Sequence, residues 1–331
     1  MIVVTGAGGF LGRHVVGALA AEADEKPLRG LDLRFADDFA ETAPGVEPLQ
    51  GDFLDSAFLG PALAGADTVV HLASKNVDRD GSGFEEVNVE GTRRLCALAA
   101  AAGVRRMIYV SSVGIYGHGA HTDADESTPV RPDTPFSRSK AAAEDVVLGH
   151  HRGGDFRAAV LRHRFVYGDG DQAVVPRLIK AARSYPFWIS GGRAEISLIW
   201  APDFAEVVRR MAAGAADAAD DPVYHVTDGK PTAYRDVIGA ICETFGDPLP
   251  RFSIPLPLLY LPVRLRELIL GIDPEVASSS VTSIRLKLVA QDNSFSSARL
   301  RRLLPDLECV PFAEGFRRSL DFYRRFREGG G

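Results

Sequence analysis

The chain has little cysteine, no run of like charge and no unbroken apolar stretch, and each lack excludes something. Its three cysteines, Cys96, Cys242 and Cys309, stand far apart in 331 residues. Without paired or metal-ligand spacing they exclude a disulfide scaffold and a thiolate metal site, and no metal is expected. Reduced thiols of this kind fit the cytoplasm. Acidic residues outnumber basic ones by 44 to 38, a net charge of -6, which argues against nucleic acid or an anionic membrane as a partner. No basic segment followed by a secretory apolar stretch opens the chain, because Ile2 to Val4 already reads as a strand. The most apolar stretch, Ile254 to Ile272, is interrupted by Pro255, Pro257, Pro262, Arg264, Arg266 and Glu267, so it is not read as a membrane span. No internal repeat is visible. What is left, 46% hydrophobic and 25% charged residues, is an ordinary globular balance with enough chain for one large α/β unit or two lobes.

What is present is concentrated at the start. The β-branched run Ile2 to Val4 ends in Gly6-Ala7-Gly8-Gly9, and a helical pattern follows at once through Phe10, Leu11, His14, Val15, Val16 and Leu19. Strand, glycine turn and helix in that order suit a dinucleotide pyrophosphate: glycine permits close backbone approach, and the helix N-terminus offers unpaired N–H groups to the anion. Gly6, Gly9 and Gly12 are spaced G-x-x-G-x-x-G, and an acid, Asp32, closes the next apolar run, Leu28 to Leu33. The competing reading is a tight turn that only packs helix on strand.

The strand–helix rhythm then continues. A short strand is expected near Leu49, a helix over Phe58 to Leu63 and a buried strand over Thr68 to Leu72. A long Ala-rich helix follows from Phe84 to Ala102, then a strand from Arg106 to Ser111. A polar loop, Gly117 to Asp133, leads to a second Ala-rich helix, Phe136 to His150, and a strand over Ala158 to Leu161. Past Gly170 the rhythm loosens: helices at 174–184, 203–213 and 234–245, strands at 196–200 and 223–226, a Pro-punctuated stretch to Pro274 and broken helix to Arg327. The Gly-rich terminus reads as disordered. The fold class expected is α/β, a Rossmann-type doubly wound parallel sheet with a smaller interleaved C-terminal substrate lobe. The nucleotide domain is assigned to 1–170, with 196–227 returning to it, and the lobe to 171–195 and 228–331.

Seven segments in order resemble the extended short-chain dehydrogenases/reductases, the NAD-dependent epimerase/dehydratase family, in its 3β-hydroxysteroid-dehydrogenase-like branch. They are Thr5 to Gly12, Gly51 to Asp55, His71 to Ser74, Asn88 to Thr92, Ser111 to Gly117, Phe136 to Lys140 and Leu161 to Gly168. The resemblance implies NAD as cofactor and a small-molecule substrate. It places Asp32 at the adenosine ribose, Asp52 and Phe53 beside the adenine, and Leu72 and Ala73 along the cofactor. Gly6, Gly9, Phe10, Leu11, Leu33, Arg34, Ser74, Asn88, Ser111, Lys140 and Val166 complete the cofactor-binding set it suggests. Asp32 favours NAD over NADP, although Arg34 is a neighbour able to accept a 2′-phosphate. The two Ala-rich helices match those that pair across a dimer interface in the family, so a homodimer is expected.

The catalytic group implied is Ser112, residue 136 and Lys140. Thr134-Pro135 reads as an N-cap and first helical position, which puts residue 136 in a first turn and Lys140 on the same face. A phenol there would exchange a proton with a substrate oxygen, its pKa lowered by the lysine. Residue 136 is instead phenylalanine, where the family pattern has tyrosine. Three readings stay open: a variant made to trap a bound complex, a natural enzyme using another acid, and a non-catalytic NAD-binding relative. Substitute donors are Tyr116, His118, Ser137 and His163, the last standing where the family usually has proline. As to substrate, Ile196-Ser197 replaces an Arg-Asp pair frequent in sugar-nucleotide enzymes. The apolar stretch 254–272, read either as lobe core or as a greasy channel, points with 292–296 and 322–323 to a hydrophobic or natural-product alcohol or ketone. A sugar-nucleotide epimerase or dehydratase is the alternative, with Arg162, Arg164, Arg177 and Arg193 available to a phosphate.

Overall fold

A computed structural model describes residues 1–21, 27–76, 83–272 and 281–327. The first half alternates strand and helix: β1 (Ile2–Thr5), α1 (Phe10–Ala20), β2 (Leu28–Asp32), α2 (Phe39–Thr42), β3 (Val46–Gln50), α3 (Ser56–Ala62) and β4 (Thr68–His71). Then come α4 (Gly91–Ala101), β5 (Arg106–Ser112), β6 (His121–Ala124), α5 (Pro135–Gly153), β7 (Arg157–His163) and β8 (Val166–Tyr167). The second half holds α6 (Val174–Ser184), β9 (Phe187–Ile189), β10 (Glu195–Ile196), β11 (Ile199–Trp200), α7 (Ala201–Ala212) and β12 (Val223–Val226). After these stand β13 (Thr232–Ala233), α8 (Tyr234–Phe245), β14 (Phe252–Ile254), α9 (Leu256–Leu270) and β15 (Asn293–Phe295).

Seven strands form one parallel sheet in the order β12-β7-β5-β4-β1-β2-β3. The strands are buried on both faces because alternate residues feed two helix layers. Ile2 and Val4 of β1, with Ile108 and Val110 of β5, pack on the side of α1 and α7. Val3, Met107 and Tyr109 pack on the side of α3, α4 and α5. The strand order reverses between β1 and β4, which puts the ligand crevice over the carboxyl ends of the strands there. A second core gathers α6, α8 and the helical segments 312–318 and 320–327 around Tyr167, Ile179, Ile241, Phe316 and Tyr323. A smaller sheet, β13-β10-β15-β6, lies outside the seven strands.

Four local expectations change. The helix over 84–102 is wound as a π-helix from Glu85 to Glu90 before α4 begins, and this looser winding carries Asn88, which is buried. The single strand at 196–200 is two: Ile196 pairs with β13 and β15, whereas Ile199 and Trp200 pair with β8. Between them the Ser197 hydroxyl accepts the Phe295 N–H at 2.9 Å, so the chain changes sheets at that residue. The polar loop 117–133 contains β6, which pairs with β15. The stretch 254–272 is mostly one helix, α9, with Pro257 in its first turn and Pro262 inside it. Only its Glu267 is buried, held by the Ser283 N–H and hydroxyl at 2.7 and 2.6 Å. Leu258, Leu265 and Ile269 are exposed, so the lobe-core reading of this stretch fails. Among the described residues no helix is long and apolar enough to cross a membrane. The Gly-rich end expected to be disordered lies, from residue 328, outside the described residues.

Candidate active site

The turn after β1 is built for close approach. Gly6 has φ +75°, and a Cβ there would stand 2.8 Å from the Ala73 nitrogen; at Gly12 it would stand 2.0 Å from the Gly6 carbonyl oxygen. Gly9 is the N-cap of α1 and has no side chain to fill the cap, so the first N–H groups of that helix are left for an anion. Phe10 and Leu11 begin the helix and are half-buried. Asp32, at the end of β2, accepts the Gly8 N–H at 2.9 Å and the Arg34 N–H at 3.2 Å, which ties the turn to the second strand. Leu33 and Arg34 are exposed beside it. This cradle, which a Cβ would fill, fits a dinucleotide.

The other residues expected at the cofactor lie along the same edge. Asp52 is exposed and closes its own loop, accepting the Leu54 N–H at 2.9 Å, while the Phe53 ring lies 5.6 Å from that of His71. Leu72, Ala73 and Ser74 run half-buried out of β4, Leu72 donating to the Thr5 carbonyl at 3.1 Å. Asn88 ties this segment to α5: it accepts the Lys75 N–H at 2.8 Å, donates to the Lys75 carbonyl at 3.0 Å, and donates to the Ser139 hydroxyl at 2.9 Å. Ser111 and Val166 are buried at the strand ends, and the Ser111 Oγ has no hydrogen-bond partner among the described residues.

Helix α5 positions two of the three residues expected to be catalytic. Thr134 and Ser137 form a capping box, each side chain accepting the other's N–H at 3.0 and 2.9 Å, with Pro135 as first helical residue. Phe136 stands in the first turn, half-buried, its ring edge-on to Phe84 at 5.9 Å. Four residues on, Lys140 is buried and its Nζ donates to the Val110 carbonyl at 2.7 Å, 4.4 Å from the centre of the Tyr109 ring. Burial pushes this amine down to about 7, against the pull of Glu144. Ser112, two residues past Val110 on β5, accepts the Gly114 N–H at 3.1 Å. Position 136 therefore shares a helix face with a lysine anchored to the strand that ends in Ser112.

Three of the four substitute proton donors are engaged elsewhere. Tyr116 Oη lies 2.6 Å from His225 Nε2 and accepts from Arg162 at 2.6 Å; Arg162 in turn donates to Glu144 at 2.6 Å. His118 pairs with Asp133 at 3.0 Å, and Ser137 belongs to the cap. His163, the last residue of β7 and the register partner of Ser112, is different. Its buried Nδ1 has no hydrogen-bond partner among the described residues. Burial, Lys140 and Arg164 hold its ring down to about 3, so it is a neutral imidazole. The buried network of Arg162, Glu144, Tyr116 and His225 is absent from the motif reading. Its signal was a glutamate four residues after Lys140 on an Ala-rich helix face and an arginine closing an apolar strand.

Fold and site together define an extended short-chain dehydrogenase/reductase, and the chain belongs to the 3-beta hydroxysteroid dehydrogenase/isomerase family, which matches residues 3–258. Among individual relatives, it is 32% identical over 253 residues to a 4-hydroxy-2-methyl-3-oxo-4-farnesyl-3,4-dihydroquinoline-1-oxide ketoreductase of Stigmatella aurantiaca, covering 73% of this chain and 72% of that one. It is 26% identical to isoform 2 of the 3beta-hydroxysteroid-dehydrogenase/decarboxylase of Arabidopsis thaliana, over 99% of this chain and 62% of that protein's length. In fold it resembles a dTDP-glucose 4,6-dehydratase of Streptomyces venezuelae solved with NAD bound, with a TM-score of 0.74, 22% identity and coverage of 99% and 98%. The chain is an enzyme of this family.

Proposed function

We propose that the chain binds NAD(H) along the carboxyl edge of the seven-stranded sheet and acts on a secondary alcohol or ketone of a hydrophobic, natural-product-like substrate. The observation that carries this is the tie of Asp32 to Gly8, which joins an acid at the ribose position to a turn with no room for a Cβ at Gly6 or Gly8. Gly6, Gly9 and the start of α1 hold the pyrophosphate; Asp32 takes the ribose hydroxyls; Asp52 and Phe53 flank the adenine. Leu72 to Ser74, Asn88, Ser111 and Val166 line the remainder of the cofactor. The cofactor supplies a hydride acceptor or donor. Lys140 and Ser112 orient the substrate oxygen, and residue 136 is where the proton would be exchanged. Phenylalanine has none to give, so turnover by this chain is slow while cofactor binding is intact. The named ketoreductase relative and the absence of an arginine at Ile196-Ser197 favour a ketone over a sugar nucleotide.

Within this reading residues 1–170, joined by 196–227, serve the nucleotide, and 171–195 with 228–331 serve the substrate. A homodimer forms across the π-helix at 85–90, α4 and α5, where Val89, Ala142, Val146 and Gly149, with Glu85, Arg93 and Asp145 beside them, line a groove of about 600 Å³. Three free cysteines suit a cytoplasmic enzyme. Calorimetric titration with NAD⁺ and NADP⁺ tests the core of the reading, and NAD⁺ should bind more tightly. A thermal-shift screen of the NAD⁺-loaded protein should show stabilisation by apolar ketones. Tighter NADP⁺ binding, or stabilisation only by UDP- or dTDP-sugars, would overturn it.

A further inference from the structure

Arg162 and Arg164 are two residues apart, and only one of them is paired. Arg162 donates twice from Nε and once from Nη2 to Glu144 and once from Nη1 to Tyr116. Arg164 makes no hydrogen bond and no ion pair among the described residues; its Nε is buried without an acceptor, and its guanidinium lies 4.1 Å over the Phe165 ring. Stacking on one face fixes the guanidinium plane and leaves its N–H edge free, the arrangement that suits a planar two-oxygen anion. The backbone beneath is held at φ +33° at Phe165, an uncommon conformation for a bulky residue and one that persists where the surroundings enforce it.

The neighbourhood is positive and unbalanced. Lys140 and Arg164 are the charged groups that act on His163, and no carboxylate acts on Arg164, which burial alone pulls down to about 10. Arg164 is half-buried, and an Nε shut away from water without an acceptor costs stability, so its natural complement is a ligand. The pyrophosphate of the cofactor is not that ligand. It belongs to the turn after β1, and β7 stands three strands away, roughly 14 Å at the usual strand spacing. Arg164 instead follows directly on His163, the register partner of Ser112.

We propose that Arg164 recognises a carboxylate carried by the substrate close to the carbon that exchanges hydride, so that the enzyme acts on an apolar hydroxy or oxo acid. This rests on the functional reading above and narrows its substrate class. His163, the residue before it, is neutral and packs its ring edge-on to Phe204 at 5.6 Å.

The test is calorimetric titration of NAD⁺-saturated protein with 3-oxodecanoate and with its methyl ester, ligands already oxidised and so inert with NAD⁺. The acid should bind roughly ten- to a hundredfold more tightly than the ester, the range of a hydrogen bond to a charged group. Arg164→Met should abolish that preference and Arg164→Lys should keep part of it, with NAD⁺ affinity unchanged in both. Arg164→Met should melt no lower than the parent, since it removes an unpaired cation. Equal binding of acid and ester, a preference that survives Arg164→Met, binding of neither ligand, or a lower melting temperature for Arg164→Met would each overturn this proposal alone. A protein that binds no NAD⁺ overturns the functional reading and this proposal with it.

Discussion

Asp32 and Arg164 are both charged residues at carboxyl ends of strands in one sheet, and the protein treats them in opposite ways. Asp32 accepts two backbone N–H groups and is locked against the glycine turn. Arg164 makes no hydrogen bond among the described residues, its buried Nε included, and the Nδ1 of His163, the residue before it, has no partner among them either. One side of the crevice is finished before any ligand arrives; the other, in the proposed reading, is completed by the substrate. In the proposed reading the finished side receives the cofactor, a group that never varies, and backbone geometry suffices for it. The open side must discriminate, and unmade hydrogen bonds to a missing partner are how a site rejects the wrong molecule.

That contrast can be broken first at Glu144. Glu144→Ala would turn Arg162 into a second unpaired arginine, deeper than the first, and should cost about 3–5 kcal/mol of unfolding free energy. Urea melts of Glu144→Ala beside Arg164→Met measure it, and similar losses in both would erase the distinction. On the finished side, Gly12→Ala forces a Cβ to 2.0 Å from the Gly6 carbonyl oxygen. Overpacking of this kind costs about 1–3 kcal/mol, and calorimetry should show it as weakened NAD⁺ binding.

Lys140 sharpens the comparison through pH. Its amine titrates near 7 in the fold and at the ordinary 10.5 when unfolded, so between these values the unfolded chain binds more protons. Stability attributable to Lys140 therefore rises with pH across that window, with a slope of up to about 1.4 kcal/mol per pH unit. Lys140→Met should flatten that slope in melts from pH 7 to 10; an unchanged slope would place the lysine in water. The smallest effect belongs to the cap of α5, where Thr134→Ala should cost about 1 kcal/mol in a thermal melt without altering NAD⁺ affinity.

The legibility of the sequence follows the same division. Strand, glycine turn and helix at residues 2–20, Asp32, the Thr134-Pro135 cap and the parallel α/β order were readable, because each rests on local backbone demands that glycine, proline and apolar periodicity record directly. The π-turn at 85–90, the change of sheet at Ser197 and the surface position of α9 were not. Each depends on contacts between residues far apart in the chain, such as Ser197 with Phe295, or Glu267 with Ser283. The same holds for the arginines. Nothing in Leu161 to Phe165 tells which arginine is paired, because the pairing carboxylate, Glu144, sits on a different element. His163 and Phe136 were visible as departures from a family pattern, while their consequences needed the neighbours on β5 and α5.

The central proposal is that this enzyme has a complete cofactor site and a proton-exchanging position blocked by Phe136. The most direct measurement is kcat for Phe136→Tyr beside the parent, on an NAD(H)-linked substrate found by the titrations above. The account predicts a rise of about a hundred- to ten-thousandfold, the usual worth of positioned general acid–base catalysis, with NAD⁺ affinity unchanged. Adding Ser112→Ala or Lys140→Met to Phe136→Tyr should remove most of the gain. A parent that already turns over at full rate, and is slowed by the tyrosine, would contradict it.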